Sequence, residues 1–299
     1  MVELDKIATE QRNPNTMNID TMSTLDMVRL INQEDHRVAD AVGQVSDKIA
    51  QAVDLIADRL SKGGRLIYCG AGTSGRLGVL DAVECPPTYS TDPEMVQALM
   101  AGGYGAIFKA VEGAEDSEEL GAEDMKRIGF CRKDVLVGIA ASGRTPYVMG
   151  CMEYARAAGA ATVAVTCCPG GELDRYADIG IDPAPGPEVV TGSTRMKSGT
   201  AQKMVLNMLS TGAMIKLGKV YSNLMVDVKP SNEKLIRRCV TIVCAAAQCT
   251  EEEATHALSQ CDYHPKVAIV MVLRHVDAAQ AHRLLEQAGG RIAKVLEGA

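Results

Sequence analysis

Tryptophan is absent from the 299 residues and phenylalanine occurs only twice. With aromatics at 3 %, the core must be built from Leu, Ile, Val, Ala and the 15 Met. Nowhere does the chain hold the roughly 18 uncharged apolar residues that a membrane span requires. Its start, Met1-Val-Glu-Leu-Asp-Lys-Ile7, lacks the basic region and apolar stretch of a leader. No membrane association and a cytoplasmic location are therefore expected. Clusters of Lys and Arg are missing too, and the formal net charge of −7 gives no electrostatic footprint for nucleic acid. The ten cysteines show no C-x-x-C spacing and the five histidines no ligand spacing, so no metal site is expected. The thiols read as free, packed as small apolar residues in a reducing compartment.

What is present points to phosphate. The apolar run Arg65-Leu-Ile-Tyr-Cys69 leads into Gly70-Ala-Gly-Thr-Ser-Gly75 and then the helix-like Arg76-Leu-Gly-Val-Leu-Asp-Ala-Val-Glu84. Glycines allow a tight turn and close backbone approach, and the free N–H groups of a helix start attract an anion. The spacing of Gly70, Gly72 and Gly75 also fits the dinucleotide fingerprint G-x-G-x-x-G. A dinucleotide fold needs a second strand ending in Asp or Glu about 20 residues on. That region instead reads Cys85-Pro-Pro-Thr-Tyr-Ser-Thr-Asp-Pro-Glu94, and adjacent prolines forbid a central strand. Between the glycines, Thr73 and Ser74 supply hydroxyls suited to a phosphate.

The device recurs. Asp134-Val-Leu-Val-Gly-Ile-Ala-Ala141 is followed by Ser142-Gly-Arg-Thr-Pro146, with Pro146 in the first turn of a helix and Thr145 as its N-cap. A third hydroxyl-rich loop, Thr191-Gly-Ser-Thr-Arg-Met-Lys-Ser-Gly-Thr200, precedes a helical stretch over 201–217. Ser and Thr also serve as ordinary turn and cap residues, but three such loops, each feeding a helix, suggest a small phosphorylated ligand gripped from several sides. The expected binding residues are Gly72, Thr73, Ser74, Ser142, Arg144, Thr145, Ser193 and Thr194, with Lys197 and Arg195 as further anion partners.

Between these loops the pattern alternates. Strand-like segments near 66–69, 135–140, 161–165 and 178–181 are separated by helical ones, which argues for an α/β fold with a parallel sheet wrapped by helices. Ahead of them, Ser23-Thr-Leu-Asp26 reads as a cap for a long helix that breaks before Val38. A stripe from Val38 through Val42, Ile49, Ile56 and Leu60 ends at Gly63-Gly64. Beyond residue 240 the texture becomes short capped helices, with Val267–Leu273 read as helix despite its strand-like composition. The division expected is an α/β domain with N-terminal helices over 1–240 and a small helical appendage over 241–299.

Long motifs then carry a family resemblance. Gly70-Ala-Gly-Thr-Ser-Gly-Arg-Leu77, Glu84-Cys-Pro-Pro-Thr-Tyr89, Glu112-Gly-Ala-Glu-Asp-Ser117, Ala140-Ala-Ser-Gly-Arg-Thr-Pro-Tyr147, Gly192-Ser-Thr-Arg-Met-Lys-Ser-Gly-Thr-Ala-Gln-Lys203 and Asn223-Leu-Met-Val-Asp-Val228 resemble those of bacterial N-acetylmuramic acid 6-phosphate etherases. The likeness covers most of residues 20–235, with Met196 and Ser198 as departures in the third loop. It implies a sugar-isomerase (SIS) fold, a homodimer and an amino-sugar phosphate substrate. The implied reaction cleaves the lactyl ether of N-acetylmuramic acid 6-phosphate to N-acetylglucosamine 6-phosphate and D-lactate, with no cofactor and no metal. The resemblance also assigns the chemistry to Glu84, as the acid at the departing oxygen, and to Glu115, as the base at C2. A straight helix from the first loop carries Glu84 roughly 13–15 Å from the phosphate. Either that helix ends early, near Gly78, or Glu84 serves a site completed by a partner subunit. Two other readings fit the same fold: a sugar-phosphate regulator without turnover, and an aldose–ketose isomerase.

Overall fold

The computed structural model describes residues 8–228, 230 and 232–297. Residues 1–7, on which the expectation of no leader rests, lie outside them. The chain forms two compact units. One holds the residues up to Ala82 together with Glu94–Ser210, and the other Val83–Pro93 together with the residues from Thr211 onward.

The first unit opens with α1 (Thr24–Gly43) and α2 (Ser46–Ser61). Ser23 caps α1 as its sequence predicts, its Oγ accepting the Asp26 N–H at 3.2 Å. The break between the helices comes at Gln44 and Val45 rather than before Val38. The buried stripe Val38, Ala41 and Val42 holds α1 together until Gly43, where helix propensity falls. The same stripe continues through Ile49, Ile56 and Leu60 of α2, all buried within this one chain.

The sheet follows: β1 (Leu66–Gly70), α3 (Gly72–Tyr89), β2 (Val96–Met100), α4 (Glu118–Arg127), β3 (Val135–Ile139), α5 (Pro146–Ala157), β4 (Ala161–Val165), β5 (Ile179–Ile181) and α6 (Lys197–Lys216). Strand order is β2-β1-β3-β4-β5 and every pairing is parallel. Every residue of β1, β3 and β4 is buried, because helices cover both faces of such a sheet and the strands become continuous apolar runs. At the entry to the sheet, Asp134 takes both arms of Arg65, Nη2 at 2.7 Å and Nε at 3.2 Å, and so fixes the start of β3 beside the start of β1. β2 is a strand that the sequence pattern did not reveal. It lies at the sheet edge, where Gln97 interrupts a short apolar segment, and it runs into Ala101-Gly102-Gly103 with no acidic residue at its end.

Contrary to the early-ending alternative, α3 continues past Gly78 to Tyr89, through Pro86 and Pro87. Both prolines fall in the last turn, and each removes the N–H that would bond the carbonyl four residues back. Ser90 then leaves the helix at φ 50°.

The second unit contains the hairpin β6 (Val220–Tyr221) and β7 (Leu224–Met225), then α7 (Glu233–Ala247), α8 (Glu251–Ser259), α9 (Pro265–Arg274), α10 (Ala278–Gln287) and α11 (Ile292–Glu297). Val267–Leu273 is helical, and its strand-like composition has a physical cause. The residues Val267–Met271 are all buried, so α9 is an apolar rod at the centre of the other helices. Thr250 and Glu253 form a capping box at α8, and Asp277 caps α10. A division after residue 240 falls inside α7, whose Cys239, Ile242 and Val243 belong to one apolar core. All ten cysteines are free thiols, and no described helix is long and apolar enough to cross a membrane.

In the first unit a buried ion pair joins three distant segments. Lys197 at the start of α6 is 0 % exposed and Glu34 of α1 is 2 % exposed, with Nζ to Oε2 at 2.7 Å. Asn13 and Asn15 donate to the same carboxylate at 2.8 and 2.9 Å. Burial alone would raise the Glu34 carboxyl, but the hydrogen bonds from Lys197, Asn15 and Asn13 outweigh it and hold the group at about 2. A depressed carboxyl contributes stability that is full above its unfolded value and is lost as pH falls toward its folded one. For Glu34 that window runs from about 4.5 down to about 2, and the contribution is on the order of 3 kcal/mol. Glu34→Gln leaves Lys197 buried without its counter-charge and is expected to cost about 3–5 kcal/mol in denaturant unfolding at pH 7. Its stability should also fall less steeply than that of the unmodified protein between pH 4.5 and 2. An acid limb as steep as the original would show that another group carries it.

Candidate functional site

Two helix starts and one loop converge on a cavity of about 340 Å³ in the first unit. At the first, β1 passes directly into α3. A Cβ on Gly70 would lie 2.7 Å from the Gly75 nitrogen, and one on Gly75 would lie 2.6 Å from the Gly70 carbonyl oxygen. Only glycine at both places lets the strand end touch the first helical turn, which leaves Gly72, Thr73 and Ser74 lining the cavity. At the second, Ser142, Arg144 and Thr145 line it where α5 begins. Thr145 is the N-cap residue as expected, but its side chain makes no capping bond. From the third loop Thr194 reaches the cavity, while Ser193 and Lys197 do not line it.

Lys197, expected as an anion partner, faces the interior instead. Its ammonium is committed to Glu34 in the interior. The helix start to which it belongs is also already satisfied. Glu188, itself 0 % exposed, accepts the backbone N–H groups of Lys197 and Ser198 at 2.9 and 2.8 Å and the Ser198 hydroxyl at 2.8 Å. An internal carboxylate thus occupies the positive end of α6. Of the three loop-to-helix junctions read as anion sites, those of α3 and α5 open on the cavity and that of α6 is used by the protein itself.

Ser74 is nearly buried, and its hydroxyl donates to Gln202 Oε1 at 2.9 Å. Gln202 is 1 % exposed, and its Nε2 has no partner among the described residues. Deeper in α3, Asp81 accepts from the Tyr68 hydroxyl at 2.7 Å and from Ser210 of α6 at 3.1 Å, and burial pushes its carboxyl up.

Glu115 lines the cavity from a short turn, Ala114–Asp116. Gly113 enters that turn at φ 74°, and Ser117 leaves it as the N-cap of α4, accepting the Leu120 N–H at 3.1 Å. Asp116 and Glu10 also line the cavity, and neither was selected from the sequence. Asp116 is adjacent to a selected residue. Glu10 has no local signal, because it lies about sixty residues before the first loop and outside every motif. Arg144 is the one cation among the lining residues, with Glu172 4.0 Å away. One Arg faces three carboxylates, so an anionic ligand here relies on oriented N–H groups and hydroxyls rather than on bulk positive charge. Glu84 is exposed on α3, twelve residues beyond Gly72 and roughly 18 Å along the helix axis, and does not line the cavity.

Residues 48–156 match the model of the N-terminal SIS domain of glucokinase regulatory protein, residues 117–212 that of the SIS domain, and residues 222–283 that of the C-terminal lid domain of glucokinase regulatory protein. The phosphoheptose isomerase of Neisseria gonorrhoeae shares the fold, with a TM-score of 0.50 at 18 % identity over 64 % of this chain and 98 % of that one. The parallel sheet with its flanking helices is the SIS fold. An N-acetylmuramic acid 6-phosphate etherase of Photorhabdus laumondii is 58 % identical over 97 % of each chain. One of Klebsiella aerogenes is 57 % identical over 99 % of this chain and 98 % of that one. At such identity over nearly the whole length of both, the chain belongs to the N-acetylmuramic acid 6-phosphate etherase family.

Proposed function

We propose that the protein cleaves the D-lactyl ether of N-acetylmuramic acid 6-phosphate, a carbon–oxygen lyase reaction that yields N-acetylglucosamine 6-phosphate and D-lactate in cytoplasmic recycling of cell-wall sugar. The observation that carries this reading is that, in a chain of this family, hydroxyls and N–H groups suited to phosphate share one cavity with the carboxylate of Glu115.

An ether at C3 of a sugar is a poor leaving group. Ring opening exposes the C1 aldehyde, which makes the C2 proton acidic and stabilises the carbanion left by its removal. Glu115 takes that proton. Expulsion of the C3 oxygen needs an acid, Glu84, which protonates the departing lactate and then activates the water that adds across the double bond. General acid and base groups of this kind contribute typically 10²–10⁴-fold each. With the helix continuous to Tyr89, Glu84 lies too far along α3 to meet a phosphate at the start of the same helix. In our reading the protein is a homodimer and Glu84 serves the cavity of a second copy.

The phosphate cradle and the two glutamates are tested separately. If Ser74, Ser142 and Thr194 with their neighbouring N–H groups hold the phosphate, unphosphorylated N-acetylmuramic acid should bind several orders of magnitude more weakly in calorimetry, since each charge-assisted bond lost is worth about 1.5–3 kcal/mol. Equal affinity for both sugars would remove the cradle.

For the glutamates, Glu84→Gln and Glu115→Gln should each abolish lactate release while retaining substrate binding. In deuterated water the Glu84→Gln protein should still exchange the C2 proton, and Glu115→Gln should not. Loss of exchange in both would sink the division of roles. Mixed dimers of the two variants should regain activity if the site is shared, and inactive mixtures would refute sharing. A regulator without turnover would bind the sugar phosphate and release no lactate, and an isomerase would form a ketose instead.

A further inference from the structure

Glu10 brings a carboxylate to the cavity from the far N-terminal part of the described chain. It closes the short turn Ala8–Glu10 and is half-buried. That turn is moored on both sides. Thr9 is 2 % exposed, and its Oγ1 accepts from the Cys168 thiol at 3.7 Å. Asn13 donates to the Pro187 carbonyl at 3.1 Å as well as to Glu34, and Thr16 donates to the Val189 carbonyl at 2.9 Å. Between those two carbonyls sits Glu188, the residue that caps α6, so one strip of backbone holds both the turn and the base of the third loop. Gly192 of that loop has φ 75°, and a Cβ there would lie 3.1 Å from Glu10 Oε2. The carboxylate therefore rests directly over the loop, in space that any side chain at position 192 would contest.

Among the described residues the Glu10 carboxylate has no hydrogen-bond or ion-pair partner. Ionised, it is an acceptor only, and partial burial without a partner is unfavourable. Toward a phosphate it is repulsive. Both costs are offset by a ligand that brings neutral donors, and the hydroxyls and acetamido N–H of an amino sugar are such donors. We propose that Glu10 is a substrate-contacting residue that accepts hydrogen bonds from hydroxyl or amide donors of the bound amino-sugar phosphate, selecting for the sugar and not for its phosphate. This rests on the function proposed above and adds to it the residue that reads the sugar.

Binding tests this without turnover. Calorimetry with N-acetylglucosamine 6-phosphate should show Glu10→Ala weakened about 10–100-fold, the equivalent of one charge-assisted hydrogen bond. The affinity for inorganic phosphate should be unchanged or somewhat tighter as repulsion is relieved. Glu10→Gln keeps an acceptor oxygen and should bind the sugar phosphate between the two. It also carries the comparison should the alanine variant fail to fold. Unaltered sugar-phosphate affinity in both variants would overturn the inference. So would equal weakening toward inorganic phosphate, which would make Glu10 a support for the third loop. If the unmodified protein binds N-acetylglucosamine 6-phosphate but releases no lactate from the etherified sugar, the proposed reaction fails while the role of Glu10 stands on the binding result. If it binds no sugar phosphate, both fail.

Discussion

A lysine ammonium and a glutamate carboxylate enclosed together at Lys197 and Glu34 join α1 to the start of α6 in the first unit. Removing two charges from water is costly unless each finds its opposite and the remaining lone pairs are used. Here the remaining lone pairs are used by Asn13 and Asn15. The geometry therefore demands that α1, the start of α6 and the N-terminal segment all be in position at once. The cavity inherits its shape from that demand, since the third loop hangs from α6 and the Glu10 turn hangs from the segment that Asn13 anchors.

This network also explains which parts of the site were legible in the sequence. The first and second loops were readable because their chemistry is local: a strand, glycines or hydroxyls, and a helix start within fifteen residues. The third had the same local text but a different use, because Glu188 reaches the α6 N-terminus from outside the loop. No spacing rule distinguishes a lysine that awaits an anion from one already paired with a glutamate 163 residues away. Glu10 was invisible for the same reason, being placed by contacts to residues 168–192 and by no pattern of its own.

For the fold, periodicity served well where burial is one-sided or complete. β1, β3 and β4 declare themselves as apolar runs, and α8 and α10 of the second unit by their caps Thr250 and Asp277. β2 escaped because an edge strand buries only part of its surface and tolerates Gln97. α3 runs five residues beyond the helix-like stretch that ends at Glu84, taking in Pro86 and Pro87, whose low helix propensity marks no boundary here.

The charge balance of the cavity has a kinetic consequence. Sites that recognise phosphate through clustered Lys and Arg draw their ligands in from a distance and weaken as salt screens that attraction. Here Arg144 is set among Glu10, Glu115 and Asp116, within a chain that is itself acidic. In the cradle proposed above, recognition would rest on short-range hydrogen bonds from fixed N–H groups and hydroxyls, which dissolved ions barely reach. Encounter with a sugar that carries both a phosphate and a lactyl carboxylate would then be unassisted by long-range steering, and rising ionic strength would ease the approach of substrate instead of impeding it. The same balance favours departure: when one anionic sugar becomes two separate anions, neither is retained by a pool of positive charge.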